Sequence, residues 1–190
     1  MSESEEVIAR GKLFEIVQTK QPDGRVFEVA RRAPGARIII WDKETGTILL
    51  TKEFRKELDD WDYRLPGGKV FDSLAEYETH RLSEGDIVEA AQTQAIVEAR
   101  QEAGIDIGSL QLYKKSVLGA TVEWDLYVFE TSDWQKNIDG QDLEDGEEIE
   151  ADVWVGFDEA KHMILAGKMQ EERIALVLLR WMERSVRSLT

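Results

Sequence analysis

The sequence predicts an α+β fold. Strand-like stretches joined by tight turns run from Lys12 to Leu65, an alanine-rich helix is expected from about Ile87 to Ala103, and an amphipathic helix is expected over Glu171 to Arg184. Strands that follow one another through turns, with the helices in separate later runs, are the pattern of a sheet that helices cover. At 190 residues and 42% hydrophobic content, one domain buries its core without needing a second.

Each element has a local reason. Lys12 to Lys20 and Arg25 to Arg32 flank Pro22-Asp23-Gly24, whose residues set up a turn, so an N-terminal hairpin is expected. A second pair, Ala36 to Trp41 and Thr47 to Phe54, is joined by Asp42 to Gly46. Ile38-Ile39-Ile40 suits a strand covered on both faces, because the apolar residues do not alternate with polar ones. Trp61 to Leu65 is a shorter strand that runs into Pro66-Gly67-Gly68. In the segment 71–85, Ser73 and Glu76 have the form of a capping box, with Leu74 and Tyr77 on one face of a short helix that Gly85 interrupts. Asp86 caps the helix from Ile87, Gly104 stops it, and Ala91, Ala95, Ile96 and Ala99 are its expected sheet-facing residues. Leu110 to Leu118 and Thr121 to Thr131 read as an antiparallel pair around Gly119-Ala120. The acidic stretch Asn137 to Glu150 reads as a loop, Val153 to Phe157 as a strand, and Asp158 as the cap of a short helix ended by Gly167. Leu176, Leu179 and Trp181 mark the apolar face of the last helix.

Composition removes several function classes. A formal net charge of −15, from 39 acidic and 24 basic residues, repels phosphate backbones and anionic membranes, so neither a nucleic-acid polymer nor a membrane is an expected partner. The longest apolar run near the C-terminus, Ile174 to Leu179, is far below the roughly 20 residues that span a bilayer. With no cysteine, disulfides, thiolate metal sites and cysteine nucleophiles are excluded. The acidic N-terminus lacks the order of a signal peptide, and the expected location is cytoplasmic.

The chemistry-bearing stretch runs from Leu65 to Ile105. Glu98 and Glu102 are four residues apart, so both carboxylates lie on one helix face and suit a hard divalent cation. The strand order, the Pro66-Gly67-Gly68 turn, the helix ending in Glu102-Ala103-Gly104-Ile105 and the late acidic loop together resemble the Nudix hydrolases over most of the chain. Their signature is G-x5-E-x7-R-E-U-x-E-E-x-G-U, where U is bulky and aliphatic. Glu89, Glu98, Glu102, Gly104 and Ile105 match it, whereas Ser83, Val97, Ala99 and Gln101 stand at its first glycine, arginine, aliphatic residue and first paired glutamate. Segment 71–85 reads as an insertion within the motif.

The resemblance implies a mixed β-sheet sandwiched between helices, an N-terminal hairpin extension over 1–34 that serves dimerisation, and a hydrolase domain over 35–190. It also implies Mg2+, with Mn2+ as an alternative, held by Glu98, Glu102, the Gly67 carbonyl and Gln101. Because Gln101 gives up one negative charge, fewer or looser ions are expected. The expected reaction is hydrolysis of the pyrophosphate bond in a nucleoside diphosphate linked to a small moiety, most closely ADP-ribose or a sugar nucleotide, by a homodimer. Glu102 is an expected catalytic residue, and Glu147 is the best-placed base in the acidic loop, with Glu144 and Glu148 as rivals. Arg55 and Arg64 are expected to face phosphates, and Arg32 to do so across a dimer interface. Trp41, Trp61 and Phe27 are candidates to stack a base, although such rings more often fill core. The second reading, which Val97 and Gln101 support, is a weakened module that binds a nucleotide or a protein without turnover. His80 and His162 lack partner spacing and are read as structural or exposed.

Overall fold

A computed structural model describes residues 4–56 and 59–189 of the chain, so Met1, Ser2 and Glu3 of the acidic start lie outside the described residues. The central strand is β4 (Gly35–Asp42). It runs parallel to β9 (Leu126–Lys136) and antiparallel to β5 (Thr47–Arg55), joining β5 where Trp41 faces Ile48. β5 pairs further with β10 (Ile149–Gly156) and β6 (Asp60–Arg64), while β7 (Ile105–Ser116) closes the other edge on β9. The resulting mixed sheet has the order β10-β5-β4-β9-β7, with β6 beside β5.

Alternation along β4 makes the sandwich. Ile38 and Ile40 pack with Ala91, Ala95, Ala99 and Ala103 of α2 (Ile87–Ala103). Ile39 points the other way, into a core with Ala160 and Met163 of α3 (Phe157–Leu165) and Ile174, Leu178 and Trp181 of α4 (Glu172–Leu189). All three isoleucines are fully buried, and each contributes about 1.5–3 kcal/mol through its removal from water. The alanines of α2 recur every fourth residue and let the helix backbone approach the sheet closely. Ile96 does not join them as expected: it is one residue past Ala95, about 100° around the helix, and is exposed. Leu176 is exposed for the same reason, although Trp181 is buried as expected.

The helix ends follow their residues closely. The Asp86 carboxylate accepts from the N–H groups of Val88 and Glu89, and Gly104 takes the left-handed conformation at φ 63°. At α1 (Leu74–Leu82) the Ser73 hydroxyl accepts from Glu76, and the Glu76 side chain reaches back to the N–H of Asp72. Asp158 is not the cap of α3: Gly156 holds that place without a side-chain bond, and Asp158 lies within the first turn.

The N-terminal region is more than a hairpin. β2 (Phe14–Lys20) and β3 (Val26–Arg32) pair around the predicted turn, but β1 (Ser4–Arg10), acidic and outside the expected hairpin, adds to β2. A short β8 (Val122–Glu123) joins β3 in parallel and completes a four-stranded sheet. The expected pairing of Leu110–Leu118 with Thr121–Thr131 is therefore displaced: β7 and β9 pair from Ser116 opposite Leu126, with residues 117–125 between them. Segment 71–85 supplies α1, which ties this sheet to the body: the Leu74 N–H donates to the Lys12 carbonyl and Glu78 pairs with Arg10 at 2.6 Å. His80 packs on Phe71 at 5.1 Å between ring centres. Among the described residues no helix is long and apolar enough to cross a membrane.

Candidate functional site

The Pro66-Gly67-Gly68 turn runs beside the start of β4. Ile38 donates to the Pro66 carbonyl at 3.0 Å and Ala36 to that of Gly68 at 2.9 Å. Gly67 has φ 142°, and a Cβ there would stand 2.3 Å from the Ala36 carbonyl oxygen, so both backbone conformation and space require glycine. Its N–H donates to Glu102 Oε2 at 2.7 Å. A Cβ on Gly68 would stand 2.0 Å from Glu98 Oε1, so its bare backbone makes the room that Glu98 occupies. The turn thus receives both carboxylates of α2, one on a backbone donor and one over a missing side chain.

Their environment is hostile to negative charge. Burial is the main cause raising the Glu98 carboxyl above its ordinary pKa, with Gln94 opposing through a 3.0 Å hydrogen bond and the charges of Glu147 and Glu144 adding to it. Burial pushes Glu102 up to about 8, against the Gly67 N–H and with help from the charge of Glu98. Paired carboxylates in this state take up either a proton or a cation.

Glu98 and Glu102 open on a cavity of about 610 Å3 that the Gly67-Gly68 turn, Gln101, Arg32, Arg55 and Arg64 also line. Eight carboxylates and five basic side chains border it, so a phosphorylated ligand enters favourably when it brings positive charge with it. That charge balance, two half-buried carboxylates and the amide oxygen of Gln101 suit a hard divalent cation. Among the described residues no three carboxylate or histidine side chains gather as a complete cage, so a cation held by this pair would complete its ligand set with other oxygens, those of water or of a ligand.

Long-range contacts bring the remaining groups in. The acidic loop docks on the end of α2: Asp142 donates to the Gln101 carbonyl at 3.0 Å, and Gln141 to that of Glu102. Glu144 and Glu147 consequently line the cavity; the exposed Glu148 is not among the lining residues, and its carbonyl accepts from Phe54. Arg55 pairs with Glu53 at 2.7 Å. Arg64 binds Asp62 at 2.9 Å and Glu53 at 3.2 Å. Arg32 lines the cavity of its own chain. None of the three expected stacking rings does: Trp41 packs on Trp181, Trp61 on Phe54, and Phe27 is half exposed on the N-terminal sheet.

Sequence reasoning missed Arg37, Trp124 and Glu171, all of which line the cavity. Arg37 carried a signal, since an arginine within the apolar run of a covered strand is rarely buried without a role, and it is 8% exposed here. Glu171 lies 3.7 Å from Arg37 and 3.5 Å from Arg64. Trp124 falls within the expected Thr121 to Thr131 strand, but it lies in the link between β8 and β9.

Comparison with known proteins bears on the family and the fold. Residues 31–177 match the NUDIX domain model. The GDP-mannose pyrophosphatase of Enterobacter sp. (strain 638) is 28% identical over 162 residues, which cover 83% of this chain and 78% of that protein. A crystal structure of an ADP compounds hydrolase matches with a TM-score of 0.66 at 19% identity, covering 97% of this chain and 95% of that one, and at that identity the likeness speaks for the fold.

Proposed function

The chain belongs to the NUDIX domain family, and on that premise we propose that it is a pyrophosphohydrolase of a nucleoside diphosphate linked to a small moiety, ADP-ribose or a sugar nucleotide. The observation that carries this reading is the meeting of Glu98 and Glu102 with the Gly67-Gly68 turn in one charged cavity. The name of one relative, a GDP-mannose pyrophosphatase, supports the substrate class.

Glu98, Glu102, the Gly67 carbonyl and Gln101 would hold Mg2+, or Mn2+ in its place. When bound, the ion supplies neutralisation of phosphate oxygens and acidification of a water. Glu147 accepts the proton of the attacking water, with Glu144 as the rival that also lines the cavity and Glu148 as the more remote one. Water oxygen bonds to one phosphorus, the bridging P–O bond breaks, and the leaving phosphate departs with the bonding electron pair. Arg55 and Arg64 orient the diphosphate from the β5 and β6 side. Exposed Val7, Ile8, Val26 and Phe27 on the N-terminal sheet support its use as the interface of a homodimer, and the lack of cysteine suits the cytoplasm.

Incubation with Mg2+ or Mn2+ and a panel of ADP-ribose, sugar nucleotides, dinucleoside polyphosphates and nucleoside triphosphates tests the proposal through released monophosphates. Turnover that Glu102→Gln abolishes supports it. A panel member that protects against thermal unfolding without being cleaved supports instead a nucleotide-binding module, which Gln101 in place of a carboxylate favours.

A further inference from the structure

Four residues of α2 form one stripe along the cavity. Gln94, Glu98, Gln101 and Glu102 are spaced i, i+4, i+7 and i+8, which sets them on one side of a helix, and all four line the cavity beside the Gly67-Gly68 turn. The two carboxylates differ in what holds them. Glu102 takes the backbone N–H of Gly67, a donor fixed by the turn. Glu98 takes a side-chain donor instead: the amide Nε2 of Gln94, one helical turn earlier, donates to its Oε1 at 3.0 Å. Among the described residues this is the one hydrogen bond of the Glu98 side chain, and it leaves Oε2 without one. Val97, where the signature has an arginine, is apolar, 40% exposed and not among the lining residues.

Two constraints therefore act on the same oxygen. The missing side chain of Gly68 makes room for Glu98 Oε1, since a Cβ there would stand 2.0 Å from it, and Gln94 supplies the donor that keeps it in that room. An amide suits the task for a reason of charge. A lysine or arginine in its place would also hold the carboxylate, but its positive charge would offset the negative charge that attracts a cation. Glutamine orients without offsetting. A carboxylate held in advance gives up less rotamer freedom when an ion arrives, and its second oxygen stays available.

We propose that Gln94 is the positioning residue of Glu98: its amide pins Oε1 beside Gly68 and leaves Oε2 to a divalent cation. The inference rests on the reading of Glu98 and Glu102 as a cation site and requires no turnover. Gln94 and Gln101 then divide the two roles an amide can take on this helix face, the first giving its N–H to a carboxylate and the second its oxygen to the ion.

Mn2+ alone, without nucleotide, is the probe; calorimetry gives its affinity, and the paramagnetic resonance spectrum of the bound ion reports its ligand arrangement. Gln94→Met keeps the length and removes the donor. It is expected to weaken Mn2+ binding about tenfold or more, the cost typical of a lost partner behind a metal ligand, and to alter the spectrum of the ion bound at saturation. Gln94→Glu keeps the shape but sets a like charge four residues before Glu98, and is expected to weaken binding as well. Tighter binding in Gln94→Glu would make residue 94 an ion ligand itself and overturn the proposal. Gln92→Met is the control, because the Gln92 amide reaches the Leu110 carbonyl at 3.5 Å, and it is expected to leave affinity and spectrum unchanged. Thermal unfolding in chelator checks that each variant folds, and the rise in melting temperature that Mn2+ gives the unaltered protein is expected to shrink in Gln94→Met. Unchanged affinity in folded Gln94→Met overturns the proposal, as does an equal loss in Gln92→Met. Mn2+ binding that Glu98→Gln abolishes upholds the cation site whatever Gln94→Met does, and monophosphate release from the nucleotide panel judges the hydrolase reading, so each can fail alone.

Discussion

The N–H of Gly67 donates to Glu102 Oε2 at 2.7 Å across 35 residues of chain, and this bond makes the turn and the end of α2 one unit. The turn backbone presents the carboxylate, and the helix in turn fixes the peptide of the turn. Gly67→Ala is expected to destabilise the protein by about 2 kcal/mol or more, because it combines a strained φ with a contact against the Ala36 carbonyl. Urea unfolding measures this.

Gly68→Ala tests the other carboxylate. Its Cβ meets Glu98 rather than backbone, so the side chain swings away and the fold is largely kept. The expected outcome is loss of divalent-cation binding by calorimetry with a smaller loss of stability than Gly67→Ala shows.

Burial raises the Glu102 carboxyl from 4.5 to about 8 in the folded protein. The sign follows: its contribution to stability is fully present below the unfolded value and is lost as pH rises through about 8. Without metal, the melting temperature is expected to fall between about pH 5 and pH 8.5 in the unaltered protein, and to fall less in Glu102→Gln. Excess Mg2+ is expected to restore stability at the upper end of that range and to have little effect at the lower, where protons already occupy the site. Thermal scans across pH, with and without Mg2+, read both effects.

Asp62 is 1% exposed, binds Arg64 and accepts from the N–H of Gln170, 108 residues away. Asp62→Ala leaves a half-buried guanidinium and a backbone donor without this partner. A loss of about 3 kcal/mol in chemical denaturation is expected.

Gln101→Glu adds a carboxylate beside the cation site. Affinity of a hard cation rises with the number of charged oxygens, so the Mg2+ concentration for half-maximal turnover is expected to fall by about threefold or more. A titration with Mg2+ against the preferred nucleotide gives the value.

What was readable from sequence depended on range. Asp86, Gly104, Ser73 and the Pro22-Asp23-Gly24 turn act on backbone groups a few residues away, so their helices and hairpin were legible and are present. The run Ile38-Ile39-Ile40 announced a strand covered on both faces, which the two cores on either side of it explain. β1 was not legible, because its acidic residues carry no apolar alternation and it exists by pairing with β2. The cap of α3 lies two residues before the expected one: Asp158 is a good capping residue, but the helix already begins at Phe157, which leaves the cap to Gly156.

By itself the sequence determined the fold class and the pair Glu98 and Glu102, since a helical repeat places residues four apart on one face whatever surrounds them. Only the tertiary structure decided that a turn more than thirty residues upstream receives those carboxylates, that Glu147 and Glu144 rather than Glu148 reach the cavity, and that Arg32 leans on rings while Arg31 is spent on carboxylates. These are cross-strand and loop-docking relations, set by the register of β3 against β8 and by the seating of the acidic loop on α2. No periodicity along the chain encodes such contacts, because the residues that meet are brought together by the packing of elements distant in sequence.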